Sequence, residues 1–395
     1  MSSNFVDIEL EDEKMKVLFV AFHDPTLMDL ASGSDYFHYK AICDNGFDVK
    51  VIGPFEPRPV LLEHLAERLY QKTGKRYPKF KMTTAWVASQ ATNQAVREWK
   101  PDLVFSIVPF PFIFYREKAP CIYRLDTTFY GVEEFWPTFG RLGLWISMWQ
   151  EKRAYRKSKR VITTSEWSKN ILVKNYKVPE SRVRVYPMPS ALPLEIVPQK
   201  VDISDWKALQ GTFRLLFVGR DYRRKGLDIS IEVTRRLDAE GFPTELTVCG
   251  VPGQSDRLIR YVGSFMKNDP KELEQYADLY RRTHLLIHPA YFEPAGIVPG
   301  EAAAFGAPTI TNNTGGLATT VKDGVSGIVL PRGSPAGAYV EKIKELIANP
   351  ESYYQLCHTS RERYELELNW QVRGKWLGDV LREVVMENRL KGSHE

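Results

Sequence analysis

One pattern, an apolar run followed by a polar loop and a helix, constrains the fold most. It occurs near the start of the chain and begins again past its middle. Residues 16–21 (KVLFVA) are continuously apolar from Val17 onward, as buried parallel strands are. A loop around Gly33 and a helix follow, and residues 48–53 form the next strand. This strand–helix–strand order predicts a βαβ unit, whose sheet is parallel and whose ligands bind at the carboxyl ends of the strands.

The second occurrence of the pattern begins at Phe213. It comprises a strand, its loop, a helix and a further strand, over residues 213–219, 220–226, 227–239 and 244–250. Four prolines between residues 187 and 198 precede it, which is typical of a linker. A chain of 395 residues is too long for one ordinary core, so two α/β domains with a ligand cleft between them are expected.

Composition limits the class of protein. The contents of 43% hydrophobic and 26% charged residues are those of a soluble globular chain. The formal charge of +5 is compatible with an anionic ligand or membrane surface and requires neither. Four dispersed cysteines without CxxC or zinc spacing indicate a reduced, cytoplasmic chain. The start of the chain is polar and acidic, unlike a signal peptide, and no apolar run approaches the roughly 20 residues of a bilayer span.

Two carboxylates, Glu293 and Glu301, stand with seven residues between them in the stretch YFEPAGIVPGEAAAFG. A glycine turn at residues 295–297 separates them, and a helix is predicted to begin at Glu301 and stop at Gly306. Backbone N–H groups and a helix dipole suit a phosphate, and carboxylates accept hydrogen bonds from sugar hydroxyls. The stretch therefore predicts one side of a site for a phosphorylated, polyhydroxylated ligand.

Two cations, Arg220 and Lys225, lie in the loop after the strand at residues 213–219. Alone they are typical of a charged surface turn. Beside the two glutamates they favour neutralisation of a diphosphate, because both cations follow the carboxyl end of a strand.

Asp126 opens a polar turn after the predicted strand at residues 121–125. This is where α/β proteins place chemistry. A helix N-cap or an Asx-turn explains the same residue equally well. Both interpretations remain open at this stage.

Two segments have the character of membrane-surface contacts. Residues 68–81 (RLYQKTGKRYPKFK) are basic and aromatic, and a predicted helix over residues 142–159 has Trp145 early and cations late. A solvated loop and a core-facing helix with a basic end are the alternatives. Nucleic-acid binding is not expected, because the basic residues are not concentrated in a recognised module.

Several motifs occur in a fixed order: FVGRDYRRKG, VCGVPG, a loop at Gly263, EPAGIVPGE, FGAPTITNNTGG and DGVSGIVL. This ordered set resembles the retaining nucleotide-sugar glycosyltransferases of family 4, which have the GT-B fold. The resemblance is specific over residues 213–331 and weaker over 16–190. It implies an α/β chain of two Rossmann-like domains whose parallel sheets face each other across a cleft. We accordingly predict an acceptor-side domain over residues 1–195 and a donor domain over 205–370, with the last helix, about 371–395, packing back on the first domain.

The resemblance also implies a role for each matching residue. Arg220 and Lys225 match the pair that binds the donor diphosphate, Glu301 the residue that holds the ribose, and Glu293 the residue at the sugar ring. The remaining matches are the backbone contacts to sugar and phosphate (Ala295, Gly296, Ile297, Val298), the N-terminal loop facing the diphosphate (Gly33) and the loop that holds the base (Phe265).

Two positions depart from the pattern of the family. Ala295 stands where many relatives have phenylalanine, which keeps the backbone contact and opens space beside the sugar. Asp126 stands at the turn where many relatives have a histidine. The resemblance therefore implies that Asp126, together with Glu293, makes the polar contacts with the reacting sugar.

The predicted function is therefore retaining transfer of a sugar, of the hexosyl type, from a nucleotide-diphosphate sugar to an unidentified acceptor hydroxyl. Such transfer serves the synthesis of glycans, glycolipids or small-molecule glycosides. No cofactor or metal is expected, because the chain has no Asp-x-Asp motif and cations can stabilise the leaving diphosphate. Front-face attack and a covalent intermediate on Glu293 both fit. The expected location is cytoplasmic, including the inner membrane face.

Three alternative functions are considered, and two of them share the same architecture. A non-catalytic nucleotide-sugar binding protein and a sugar-nucleotide epimerase both fit the motifs. A dinucleotide-dependent oxidoreductase does not, since GxGxxG follows neither first strand.

Overall fold

The computed structural model describes residues 14–55, 68, 72, 82–135, 137, 140–201 and 211–392. These residues contain two six-stranded sheets, and every neighbouring pair of strands within them is parallel. Helices cover both faces of each sheet, so the strands are buried on both sides and their sequences are continuous apolar runs. The predicted α/β fold with two Rossmann-like halves is confirmed.

The first sheet has the strand order β2-β1-β3-β4-β5-β6. Its strands are β1 (Lys16–Val20), β2 (Asp48–Ile52), β3 (Leu103–Ser106), β4 (Cys121–Leu125), β5 (Ser158–Thr163) and β6 (Val183–Val185). The central strands β3 and β4 are buried along their whole length.

The second sheet has the order β12-β11-β10-β7-β8-β9. Its strands are β7 (Phe213–Val218), β8 (Thr244–Cys249), β9 (Ile259–Tyr261), β10 (Leu285–His288), β11 (Thr309–Asn312) and β12 (Gly327–Leu330). The loops after β7, β8 and β10 leave the carboxyl edge of this sheet, where parallel sheets bind ligands.

The helices of the described residues connect these strands. They are α1 (Ser34–Asp44), α2 (Met82–Trp99), α3 (Phe110–Ile113), α4 (Phe129–Phe135), α5 (Gly140–Lys157), α6 (Glu166–Lys174), α7 (Tyr222–Lys225), α8 (Leu227–Ala239), α9 (Pro270–Arg281), α10 (Ile297–Ala304), α11 (Leu317–Thr320), α12 (Ala336–Ala348), α13 (Pro350–Glu367) and α14 (Trp370–Gly392). Short 3-10 turns occur at Leu30–Gly33, Glu180–Arg182 and Leu194–Ile196.

The helix predicted to start at Glu301 begins four residues earlier, at Ile297. Pro299 and Gly300 suggest a break in the sequence, but proline is tolerated in the first turn of a helix, where its missing N–H would have no partner. Gly296 precedes the helix with φ 73°, and Gly306 follows it with φ 75°. Glu301 therefore lies in the second turn of α10 and not at its amino end.

The proline-rich stretch crosses from the first sheet to the second but is packed and not free. Met188, Ala191 and Leu192 are buried, and the N–H of Ser190 donates to the carbonyl of Leu368 at 2.9 Å. The prolines shape a fixed crossing rather than a loose linker.

The last helix, α14, packs on the first sheet although it follows the second one. Leu377, Leu381 and Val384 are buried in the same cluster as β1. Trp376 stacks on Tyr186 with ring centroids 4.9 Å apart, and Trp370 stacks on Phe37 at 5.5 Å. Both tryptophans of α14 thus contact the first half of the molecule.

Two sequence expectations concern membranes. Within the part of the chain that the structure describes, no helix has the length and apolarity to cross a bilayer. The basic segment 68–81 lies outside the described residues, apart from Arg68 and Lys72.

Candidate active site in the cleft between the two sheets

The carboxyl edges of the two sheets face one cleft, with a cavity volume of ≈ 410 Å³. That volume is in the range of sites for small molecules. Nine of the residues predicted for the site line it: Asp126, Arg220, Lys225, Phe265, Glu293, Ala295, Ile297, Val298 and Glu301. Of the other two, Gly33 is buried beside its exposed neighbour Ser32, which lines the cleft, and Gly296 is buried before α10.

Glu293 is the centre of charge in the cleft. Its side chain is 9% exposed, and Oε2 forms ion pairs with the Lys225 ammonium and, at 3.2 Å, with Nη1 of Arg224. Oε1 accepts the N–H of Gly296 at 3.2 Å. Both oxygens are therefore held by donors from two different loops of the second sheet.

The ionisation of Glu293 follows from these neighbours. Burial alone raises the pKa of its carboxyl, but Lys225, His288 and Arg224 outweigh burial and hold that pKa well below its usual range. His288 ends β10 and is fully buried, with Nε2 3.9 Å from Oε2 of Glu293. Burial and the nearby Lys225 lower the pKa of His288 to about 4. At neutral pH the cluster holds an ionised glutamate, two cations and a neutral histidine.

Glu301 is fully buried on the inner side of α10. Its Oε1 pairs with the ammonium of Lys267 at 2.6 Å, and its Oε2 accepts the hydroxyls of Tyr276 at 2.7 Å and Tyr280 at 2.6 Å. A carboxylate has about four acceptor positions, and these contacts use three. The fixed carboxylate can accept one further hydroxyl from the cleft.

The amino end of α10 presents backbone donors to the cleft. Gly296 has positive φ, and a Cβ at this position would lie 2.8 Å from Cδ2 of Leu317, so the turn requires glycine. The first N–H groups of a helix have no partner inside it. Those that follow Gly296, next to Ile297 and Val298, can therefore bind an anion.

Arg220 and Phe265 complete this side of the cleft. Arg220 is exposed in the loop after β7, and no ion pair engages it among the described residues. Phe265 follows β9 and lies against Tyr276, with ring centroids 6.1 Å apart. We call Glu293, Lys225, Arg220 and Glu301 with the start of α10 the second-sheet wall.

Asp126 lies on the opposite side and is 42% exposed at its side chain. Its Oδ1 pairs with Nη2 of Arg124 at 2.6 Å. The residue that caps α4 is Thr128, whose hydroxyl accepts the N–H of Gly131 at 3.0 Å. Asp126 is thus not the N-cap that the sequence left open, and its carboxylate lines the cleft.

Arg124 connects Asp126 with the loop after β1. It is 2% exposed, and its Nη1 donates to Oγ of Ser34, the first residue of α1, at 3.3 Å. Asp29, Ser32 and Asp126 form what we call the first-sheet wall.

The two walls are joined by a hydrogen-bonded contact. The Asp29 carboxylate accepts the backbone N–H groups of Lys267 and Asn268 and the side-chain amide of Asn268. In return, Oδ1 of Asn268 accepts the N–H of Met28 at 3.1 Å. The loop after β1 is therefore tied to the loop that carries Lys267, the cation paired with Glu301.

Sequence reasoning missed several groups at this site. They are Arg124, Arg224, Lys267, Tyr276, Tyr280 and His288. Arg224 could have been found, since it precedes Lys225 and the two share a short helix. Arg124 could also have been found as the charged residue in the otherwise apolar strand CIYRL. The other four come from three further parts of the chain, the loop at Lys267, helix α9 and the end of β10, and carry no local signal.

Two family models match the chain. "Glycosyltransferase Family 4" matches residues 39–189, and "Glycosyl transferases group 1" matches residues 199–363. The first match covers most of the first sheet and the second contains all of the second sheet.

Individual proteins are also similar. A glycogen synthase of Mycobacterium tuberculosis is 26% identical over 299 residues, which cover 70% of this chain and 67% of that protein. The solved structure of a sucrose-phosphate synthase from Thermosynechococcus elongatus superimposes with a TM-score of 0.69 at 19% identity, covering 95% of this chain and all of that one. HepE of Anabaena, solved in complex with UDP-glucose, superimposes with a TM-score of 0.63 at 15% identity, covering 93% and 100%.

Proposed function

This chain is a glycosyltransferase of the family 4 type with the GT-B fold, and from this premise we propose that it transfers a sugar from a nucleotide-diphosphate sugar to an acceptor hydroxyl with retention of configuration. The observation that carries the proposal is the Glu293 cluster: an ionised carboxylate held by Lys225 and Arg224 beside the amino end of α10. The solved complex of HepE with UDP-glucose supports a donor of this class.

The donor diphosphate is bound by cations and backbone donors. Arg220 is available at the cleft, and Lys225 is within reach of the same space. The N–H groups at the start of α10 add a positive dipole end. Together they stabilise the negative charge that develops on the leaving diphosphate, without a metal ion.

The nucleoside is held deeper in the cleft. Glu301 accepts a ribose hydroxyl, and its buried contacts with Lys267, Tyr276 and Tyr280 fix the carboxylate in place. Phe265 provides an aromatic surface at the entrance for the base. The backbone at Ala295 to Val298 contacts the sugar and the inner phosphate.

The contacts of Glu293 favour front-face attack over a covalent intermediate. A nucleophilic carboxylate needs one oxygen free to approach the anomeric carbon. Here Oε2 is engaged by two cations and Oε1 by the Gly296 N–H. Glu293 then orients Lys225 and stabilises positive charge on the sugar, while a phosphate oxygen of the leaving group takes the proton of the acceptor hydroxyl. Asp126 contacts the sugar from the first-sheet wall.

Two further properties belong to the proposal. Transfer needs no added metal, and chelation by EDTA leaves the rate unchanged. The enzyme works in the cytoplasm, in keeping with the free thiols of Cys43, Cys121, Cys249 and Cys357.

The first domain also contacts the inner face of a membrane. Trp86 on α2 is 56% exposed, and Leu142 and Trp145 on α5 are 62% and 65% exposed. Gln150 on α5 donates to the sulfur of Met82 on α2 at 3.1 Å, so the two helices are neighbours. Exposed tryptophan suits a membrane interface. Sedimentation with anionic vesicles at low salt should pellet the wild type, and failure to pellet ends this part of the proposal.

The central test measures donor turnover for UDP-, GDP- and ADP-linked sugars with an acceptor panel. A Lys225→Ala variant should lose transfer by roughly 10²–10³-fold, the range found when a single group stabilising transition-state charge is removed. The matched control is Arg223→Ala, two residues away in α7, whose side chain contacts only Tyr222 among the described residues.

Three outcomes discriminate among the candidate functions. Near-normal transfer by Lys225→Ala contradicts the assigned role. Tight donor binding without product for any acceptor supports a non-catalytic binding protein. Interconversion of nucleotide sugars without acceptor supports an epimerase.

A further inference from the structure

A second charged groove lies on the opposite edge of the first sheet from the cleft. It is formed at the amino ends of β4, β5 and β6, with the last turns of α5 and α14 at its sides. Its volume is ≈ 470 Å³, and a neighbouring depression of ≈ 540 Å³ shares residues 117–120 and Asn388 with it. The loops of the active site leave the other ends of the same strands, so the two sites are separated by the length of the strands.

The lining of the groove is strongly positive. Seven cations line it: Lys118, Arg156, Lys157, Lys159, Arg160, Arg182 and Lys391. Only two acids, Glu117 and Glu387, stand among them, and both are already paired, with Arg97 at 2.7 Å and with Arg160. For the remaining six cations, no ion pair is found among the described residues, and the groove keeps a large excess of positive charge.

Two of the seven cations, Arg160 and Arg182, are held in place by the fold. Arg160 is fixed by Glu383 and Glu387 of α14, and Arg182 donates to the carbonyls of Tyr155 and Ser158. Burial, then Lys391 and Arg160, lower the pKa of Lys159, and burial with Arg160 lowers the pKa of Arg182. The Nε atoms of Arg160 and Arg182 are enclosed without an acceptor among the described residues. Like charges are thus crowded in a concave, partly dehydrated place, which costs stability unless an anion compensates them.

We propose that this groove binds a multiply phosphorylated anion at a site separate from the donor cleft. Arginine forks and lysine ammonium groups at close quarters are the groups that proteins use for phosphate. The volume suits a small molecule carrying several phosphates or the headgroup of a phosphorylated lipid. Because Lys391 belongs to α14 and Lys159 to β5, the bound anion joins the last helix to the first sheet.

The test uses the full chain with tripolyphosphate, with myo-inositol hexakisphosphate, and with phosphatidylcholine vesicles that do or do not contain a phosphoinositide. Binding is measured by calorimetry and thermal unfolding at constant ionic strength, since ligands of the folded state raise apparent stability. A Lys118→Gln/Lys159→Gln variant should bind at least about tenfold more weakly, because each charge-assisted hydrogen bond contributes on the order of a tenfold factor.

Two controls distinguish binding in this groove from binding elsewhere on the chain. A Lys152→Gln/Lys174→Gln variant makes the same charge change on α5 and α6 of the same domain, outside the groove, and should bind like the wild type. Lys225→Ala should also keep the binding, since the donor cleft is not involved. The unliganded groove variant should unfold at no lower temperature than the wild type, because the substitution relieves repulsion.

Soluble polyphosphate binding that the groove substitutions abolish supports a free metabolite as the ligand. Binding only to phosphoinositide vesicles supports the same phosphate site with a lipid source. The proposal is overturned if none of the probes binds, if both double variants weaken binding equally, or if Lys225→Ala removes the binding.

Discussion

Two buried glutamates, one on each side of the cleft, have opposite ionisation. Glu293, in the second-sheet wall, is paired with Lys225 and Arg224, and its pKa lies well below the usual range. Glu151, on α5 of the first domain, is 2% exposed and accepts the hydroxyl of Tyr176 and the N–H of Phe129, both neutral donors. Burial raises the pKa of Glu151 to about 8. The neighbouring cations, and not the depth of burial, decide which carboxyl stays charged.

The difference matches the role we propose for each wall. The charged Glu293 faces the part of the cleft where we propose that the sugar and its diphosphate bind. Glu151 is protonated at neutral pH and anchors the first N–H of α4, directly after the turn that carries Asp126. In the proposed function one wall supplies charge to the reaction, while the other uses a neutral carboxyl to fix a loop.

The largest effect is expected from removing the charge of Glu293. A Glu293→Gln variant keeps the shape but leaves Lys225 and Arg224 without their counter-charge. We expect kcat/KM for transfer to fall by roughly 10²–10³-fold, as for loss of one stabilising group at the reacting centre. Steady-state kinetics with the best nucleotide sugar measures this. The exposed Glu245 on β8 provides a control, and Glu245→Gln should be unchanged.

The Glu293→Gln variant should also differ from the wild type in its stability at acidic pH. A carboxyl with a depressed pKa contributes stability above its unfolded value, near 4.5, and this stability is lost as the pH falls through the folded pKa. The wild type should therefore lose stability more steeply than Glu293→Gln below about pH 4.5. Parallel acid unfolding curves for the two proteins would show that Glu293 is not ion-paired in solution.

The two walls also differ in how far the sequence predicts them. The second-sheet wall is formed by short contiguous segments of strand, turn and helix. The local sequence of these segments is enough to predict where Lys225, Glu293 and the amino end of α10 lie. The pattern misplaces the start of α10, because Pro299 suggests a break, and it predicts as a loop the residues that form the short helix α7. Lys267 meets Glu301 through a loop 34 residues away, which no spacing indicates.

The first-sheet wall depends on long-range packing. The sequence indicates Asp126 and, as the charged residue of the strand CIYRL, its partner Arg124. The contact of Asp29 with Asn268, however, joins residues 239 positions apart. The sequence gives only one indication of a buried acid such as Glu151, which is an acidic residue on the apolar face of an amphipathic helix. The strand pattern predicted both sheets, because continuous apolar runs depend only on burial from both sides.

An effect of intermediate size is expected at Glu151, and it concerns how the stability of the protein depends on pH. Its folded pKa of about 8 exceeds the ordinary value of 4.5, so between these values the folded state binds more protons than the unfolded state. Its contribution to stability is present at low pH in this window and declines as pH rises, by at most about 1.4 kcal/mol per pH unit. Glu151→Gln should flatten this decline. The stability of the variant relative to the wild type should therefore be greater at pH 8 than at lower pH.

Denaturant unfolding at a series of pH values measures the slope. The exposed Glu134 in the same domain gives the control, and Glu134→Gln should keep the slope of the wild type. If the stability of the wild type rose between pH 6 and pH 8, and Glu151→Gln removed that rise, Glu151 would not be neutral in the folded state.

The smallest effect is expected at the contact that joins the walls. Asp29→Ala removes the acceptor for the N–H groups of Lys267 and Asn268, so the loop near Glu301 is no longer held against the first domain. We expect the KM for the donor to rise about fivefold, equivalent to about 1 kcal/mol, while kcat changes little, since such bonds contribute about that much net. Asp24→Ala is the matched control in the same loop, because the Asp24 carboxylate bonds only to Thr26 among the described residues.

A double-mutant cycle with Asn268→Ala decides whether the contact itself matters. If the Asp29–Asn268 contact closes the cleft over the donor, each single substitution already breaks it, and the double variant should raise KM little further. The coupling should appear in donor binding and not in the thermal stability of the protein without donor, because neither side chain belongs to a domain core. Strictly additive effects on KM would mean that the two residues act separately and that the walls are not joined during catalysis.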